Sequence, residues 1–165
     1  MTDKKNTDIR LIVLSWIPAL IIMGIIFSFS AKEATASSHT SSQIVDAIVR
    51  IVEQLFHHSI AKGSDSYELL HTCIRKLGHL SEYMALGFCL VLPFSVIGLR
   101  SVRLVYACEL TAALYACSDE FHQLFVKGRD GNLTDVAIDS TGALIGISIS
   151  LLILVLVKKA RKSRD

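Results

Sequence analysis

LIVLSWIPALIIMGIIFSF, residues 11–29, is a run of nineteen residues without a single charge. A helix needs about 20 apolar residues to cross a bilayer, and this run is too long for the short core of a cleaved signal sequence. Ser28-Phe29-Ser30 before Ala31 resembles a cleavage site. The length nevertheless predicts a retained helix. Once one such helix is fixed in a bilayer, the rest of the chain must satisfy its backbone in the same solvent, which leaves helices or a closed barrel.

Three further apolar stretches have that length. They run over about 77–99, 104–126 and 134–157, and each carries a polar end. His79 and Glu82 stand near the start of the second stretch. The third holds Glu109 and, near its end, Asp119, Glu120, His122 and Gln123. Asp135 and Asp139 fall in the first turns of the fourth. Composition agrees: 52% of the 165 residues are hydrophobic, 19% are charged, and mean hydropathy is +0.50. A net charge of +2 gives no reason to expect a nucleic-acid partner. The four cysteines show no CxxC or metal-ligand spacing, so no disulfide framework is expected.

Between the first two stretches, residues 30–43 are small and polar and read as a loop. QIVDAIVRIVEQLFHH, residues 43–58, puts Ile44, Ile48, Ile51, Val52 and Leu55 on one helical face, with Asp46, Arg50, Glu53, Gln54 and His57 on the other. It is too short and polar to span, and suits an amphipathic helix at the membrane surface or over the bundle. The expected fold is therefore all-α: one integral membrane domain over 1–165, a four-helix bundle with an extra amphipathic helix in a long extracellular loop.

Ten of the 17 basic residues lie at the termini or between the second and third stretches. The positive-inside tendency then places both termini in the cytoplasm of a multi-pass protein. The C-terminal KKARKSR reads as an anchor on anionic membrane lipids. With that orientation, every polar cluster except Glu109 falls in the outer half, and Glu109 is expected to reach toward Arg100 or Arg103. His79 and Tyr83, Asp119 and Gln123, and Asp135 and Asp139 are each four apart, so each pair shares a helix face. Gly142-x-x-x-Gly146 continues the Asp135–Asp139 stripe and permits close helix approach. Charged groups in spans usually face a bundle interior or a wet cavity, which predicts a shared polar pocket. Arg129 is the expected bridge between Asp119 and Glu120. His122 is expected to pack, and Thr134 to cap the fourth helix; the Asn132-Leu133-Thr134 sequon is the lesser reading.

Lys76-x-x-His79-x-x-x-Tyr83, Asp119-Glu120-x-x-Gln123, Gly128-Arg129 and Asp135-x-x-x-Asp139-x-x-Gly142, taken in order over residues 75–146, resemble the VanZ family of bacterial membrane proteins. The Phe27–Ser30 end of the first helix is similar too. Asp139 departs from the pattern, which usually has Asn there. The resemblance implies a bacterial membrane protein of four spanning helices, linked to resistance to teicoplanin-type lipoglycopeptides. It supplies no reaction.

Two functional readings stay open. In the first, a non-enzymatic factor binds a lipid headgroup, a lipid-linked cell-wall precursor or a lipoglycopeptide tail, through Lys76, His79, Tyr83, Asp119, Glu120, Gln123, Arg129, Asp135 and Asp139. In the second, a membrane enzyme acts on a lipid-linked or envelope substrate. Glu120 or Asp119 is then general acid or base, His79 its partner, and Arg129 the stabiliser of developing charge. No nucleotide loop, nucleophile elbow or haem motif occurs, which favours the first reading. No cofactor is expected. The carboxylates with His79 would suit a hard divalent cation, but no zinc-type spacing is present.

Overall fold

The computed structural model describes residues 8–31, 34–56, 61–129 and 131–163, and these contain helices and turns but no strand. Five helices follow in order: α1 (Ile9–Ser30), α2 (Ala34–Phe56), α3 (Asp65–Val96), α4 (Ser101–Gln123) and α5 (Leu133–Lys162). Three of them, α1, α3 and α5, are long and apolar enough to cross a membrane. α4 is not one of these, because Arg103, Glu109, Asp119 and Glu120 interrupt its apolar run.

α3 is central and packs against all four other helices, most extensively against α5. Glycine makes that approach possible. A Cβ at Gly87 would collide with the Ala143 backbone, one at Gly142 with the Leu80 carbonyl, and one at Gly146 with the Met84 carbonyl. In α4, Leu104, Cys108, Ala112, Ala116 and Glu120 are all buried and recur every fourth residue. That is one stripe along one face, and small residues on it let the neighbouring helices close in. The core joins these stripes with Ala19 and Ile26 of α1 and Tyr83, Leu86, Leu90 and Ile147. Trp16 meets Phe94 edge-on at 5.4 Å, and Tyr115 donates to the Met23 carbonyl at 2.6 Å, tying α4 to α1.

Several boundaries differ from the sequence reading. The stretch expected as a loop over 30–43 is helical from Ala34 onward, so α2 is longer than the amphipathic segment; residues 57 and 58 of that segment lie outside the described residues. The face of α2 that docks is also different. Val45 and Val49 pack on Tyr67, flanked by Leu70 and Ile74, while Ile44, Ile51 and Leu55 stay exposed. Asp46 secures the contact by accepting from the Tyr67 hydroxyl at 2.9 Å and pairing with Lys62 Nζ at 2.6 Å. α3 begins twelve residues before Leu77. Ser64 caps it by accepting from the Tyr67 amide, and Asp65 and Glu68 complement the dipole in its first turn. At 32 residues, α3 is about 48 Å long, well beyond a ~30 Å hydrocarbon core.

Glu109 does not reach Arg100. The Arg100 guanidinium is held by the Ser95 and Leu99 carbonyls, and Glu109 Oε2 is buried without a hydrogen-bond partner. α5 is capped by Asn132 rather than Thr134, with the Asn132 side chain accepting from the Thr134 amide at 3.0 Å.

Candidate polar site at one end of the helices

In each of α3, α4 and α5 the buried stripe changes from apolar to polar at one end. On α4, Asp119, Glu120 and Gln123 continue the Cys108–Ala112–Ala116 face. On α5, Asp135 and Asp139 precede Gly142 and Ala143 on the inward face. On α3, Tyr83 is fully buried, and His79 and Lys76 follow it toward the N-terminus, both half-buried. The chain reverses between α4 and α5 through Gly128, whose φ of +76° places it in the left-handed region. This brings all three polar ends together.

The carboxylates Asp119, Glu120, Asp135 and Asp139 keep between 0 and 7% of their accessible surface. Two of them are organised by amides. Gln123 Nε2 donates to Asp119 Oδ2 at 3.2 Å and to Glu120 Oε1 at 3.1 Å. The Asn132 backbone N–H donates to Glu120 Oε2 at 2.8 Å, which joins the end of α4 to the start of α5. Gly131 lies so close to the Glu120 carbonyl that a Cβ would meet it at 2.6 Å.

Arg129 does not make the direct bridge that its sequence position suggests. Its Nη1 donates to Gln123 Oε1 at 3.4 Å, and its Nη2 to the Phe29 carbonyl at 3.3 Å. The guanidinium therefore engages the carboxylates through Gln123 and at the same time holds the end of α1. Desolvation, followed by the nearby Arg75 charge, lowers the Arg129 pKa from its ordinary value.

His79 Nδ1 lies 3.7 Å from Asp139 Oδ1, the contact that joins α3 to α5 at this level. His79, Tyr83, Glu120 and Asp139 also lie within electrostatic reach of Asp119. Much of the cluster is without hydrogen bonds. His79 Nδ1, Tyr83 Oη, Asp119 Oδ1, Asp135 Oδ1 and both Asp139 oxygens are buried without a partner. Buried polar atoms are ordinarily satisfied, so such a concentration calls for an explanation.

Of the residues expected at the site, all but Lys76 are joined by these contacts and electrostatic distances; Lys76 flanks them one turn away on α3. His122 packs its ring on Phe27 at 4.7 Å. Sequence reasoning left out Glu82, which is half-buried and within electrostatic reach of Asp119 and Arg129. Its position three residues after His79 was the available signal. The Ser30 hydroxyl, also buried without a partner, lies next to the Phe29 carbonyl that Arg129 holds. Among the described residues, no three His, Cys, Asp or Glu side chains converge in a way that could hold a metal ion.

Residues 15–155 match the family model described as VanZ/LLP1, a stretch that enters α1 and ends within α5. The chain belongs to the VanZ/LLP1 family. Nothing among curated proteins or solved structures matches it. In this VanZ/LLP1 chain the matched region contains every residue of the polar cluster, from Lys76 on α3 to Asp139 on α5.

Proposed function

We propose that this protein is a bacterial multi-pass membrane factor that lowers susceptibility to teicoplanin-type lipoglycopeptides, with the buried carboxylate cluster as its binding site. In this reading α1, α3, α4 and α5 cross the bilayer, both termini are cytoplasmic, and α2 lies on the outer side. The cluster then opens toward the outer leaflet, where a lipid headgroup, a lipid-linked cell-wall precursor or the tail of the drug would arrive. The observation that carries the reading is the set of four buried carboxylates, three of them with unpartnered oxygens, at the convergent ends of α3, α4 and α5, in a chain of this family. Polar groups kept at such a depth are costly unless they pair, and their usual role is to receive a ligand or an ion.

The test is expression in a susceptible bacterium. The inhibitory concentration of a lipoglycopeptide should rise several-fold, with little change for a glycopeptide lacking the lipid tail. Asp119→Asn, made at wild-type levels of folded protein, should abolish the rise; a folded variant that protects fully would sink the reading. Orientation is tested separately on single-cysteine proteins in intact cells. An impermeant thiol reagent should label Cys73 but not Lys162→Cys, and the reverse pattern would turn the cluster to the cytoplasm.

The approach of His79 to Asp139 favours a second reading, a membrane enzyme acting on a lipid-linked or envelope substrate. Glu120 or Asp119 would be general acid or base, with His79 as its partner and Arg129 steadying developing charge. Turnover of such a substrate by the purified protein, lost in Glu120→Gln, would put this reading first.

A further inference from the structure

The unpartnered atoms of the cluster are unequally divided between acceptors and donors. Four are carboxylate oxygens: Asp119 Oδ1, Asp135 Oδ1 and both oxygens of Asp139. The other unpartnered groups are one hydroxyl, Tyr83 Oη, and one imidazole nitrogen, His79 Nδ1. Charge is unequal in the same sense. Glu82 and the four buried carboxylates act on one another electrostatically, and Arg129 is the basic residue among them, with its described hydrogen bonds directed to Gln123 and the Phe29 carbonyl. Arg75 is exposed, and Lys76 is half-buried at the edge of the cluster.

Acidic clustering alone does not make a site. Tyr83 is the independent observation. It belongs to the fully buried core, its hydroxyl has no partner, and Asp119, Asp139 and Glu120 are the carboxylates within its electrostatic reach. A phenol buried in a helix interface normally finds an acceptor. Here it finds none, although those carboxylates are within reach, on a face that a purely packing role would fill with Phe.

We propose that this cluster receives one primary ammonium group. The inference rests on the cluster being a binding site and names what it binds. An ammonium brings a compact positive charge and three N–H donors, the two things the cluster lacks. Asp119 and Asp139 accept from it, and the Tyr83 hydroxyl accepts its third N–H. The ammonium can come from an aminophospholipid headgroup or from a free amine. Lys76 and Arg129 at the edge are placed to meet the phosphate of a lipid source, so lipid should bind more tightly than free amine.

The experiment uses the full-length protein in vesicles of phosphatidylglycerol, with unfolding followed by the fluorescence of Trp16, the only tryptophan. Adding phosphatidylethanolamine should raise the midpoint by about 5 °C, the scale expected of an occupied site in a chain of this size. Phosphatidylcholine, whose quaternary ammonium has charge but no N–H, should not. Ethanolamine added to phosphatidylglycerol vesicles separates the sources: a comparable rise means the site takes free amines, and no rise beside a phosphatidylethanolamine response means it takes the lipid. Either supports the proposal. Asp139→Asn and Tyr83→Phe should each lose more than half of the response, while Glu109→Gln, on the opposite half of α4, should keep it. If Asp139→Asn does not fold, Tyr83→Phe decides alone.

Equal responses to phosphatidylcholine, an undiminished response in the variants, a rise with Mg²⁺ alone, or no response to any amine would each overturn the proposal. The last would mean that protons alone satisfy the carboxyl groups. Drug protection lost in folded Asp119→Asn without an ammonium response in the parent would retain the site and reject this ligand. An ammonium response without drug protection would retain the ligand and reject the role in resistance.

Discussion

The backbone of Gly146 in α5 rests directly against the Met84 carbonyl of α3, with no room between them for a side chain. Gly87 and Gly142 meet the partner helix in the same way, so α3 and α5 touch backbone to backbone along the length that leads to the polar cluster. Gly146→Ala must therefore separate the helices or shift their register. Overpacking of this kind costs about 1–3 kcal/mol, and the unfolding midpoint in detergent should fall accordingly. Gly24→Ala is the control: nothing lies within 4 Å of a Cβ there, and a helix interior gains about 0.5–1 kcal/mol from Ala over Gly. Equal losses in the two variants would show that the close approach is not what holds α3 to α5.

Glu120 spans two elements, since its Oε2 accepts from the Asn132 amide just before α5 begins. Glu120→Ala leaves that amide and one Gln123 contact without an acceptor, which should cost about 1–3 kcal/mol. Hydrogen exchange should rise at residues 131–134 before it rises elsewhere. Glu120→Gln keeps an acceptor oxygen and should recover most of the loss, unlike its expected effect on turnover if the protein is an enzyme.

The docking of α2 should depend on pH. Hydrogen bonding from Lys62, then from Tyr67, holds the Asp46 carboxyl below its ordinary value of 3.8. A carboxyl group whose pKa is lower in the folded state stabilises that state above its unfolded pKa and loses the effect as pH falls through the folded one. The α2–α3 contact should thus be constant from neutral pH down to about 4 and loosen below that. Accessibility of a cysteine placed at Val49 would report it. Asp46→Asn should flatten the dependence, and a profile unchanged by that substitution would assign the acid sensitivity to other carboxyl groups.

The apolar helices were legible because long runs such as residues 11–29 admit few folds. Their ends were less so. Ala34–Ser42 is rich in Ser and Thr, which compete for backbone hydrogen bonds and argue for loop, yet α2 begins at Ala34. The start of α3 was encoded by Ser64, Asp65 and Glu68, but the polar HTCIRK that follows masked it. Helical spacing put Asp119 with Gln123 and Asp135 with Asp139, and the chain does turn those pairs inward. It could not show that Val45 and Val49, rather than the longer apolar stripe, would dock α2, because that depends on where Tyr67 lies in space. The same limit applies to Arg129, whose partner at Phe29 is a hundred residues away in the chain.

Arg129 gives the sharpest test of how the cluster is assembled. Its guanidinium donates from Nη1 to Gln123 Oε1 and from Nη2 to the Phe29 carbonyl, so one planar fork joins the ends of α4 and α1. Both bonds are long and the side chain is half-buried, so solvent screening limits their value. Arg129→Ala should cost about 1–2 kcal/mol rather than the larger loss of a sealed ion pair. Arg129→Lys retains the charge but presents a point donor in place of a fork, so it should restore the Gln123 contact or the Phe29 contact, not both. The consequence should be local: faster exchange at the end of α1 in both variants, with Gln123 and the Asp119–Glu120 pair disturbed chiefly in Arg129→Ala. Full recovery of α1 protection by Lys would mean that charge, not the shape of the guanidinium, holds that end of the helix. A loss in Arg129→Ala as large as the ~3–5 kcal/mol typical of a broken buried pair would mean that Arg129 neutralises Asp119 and Glu120 directly.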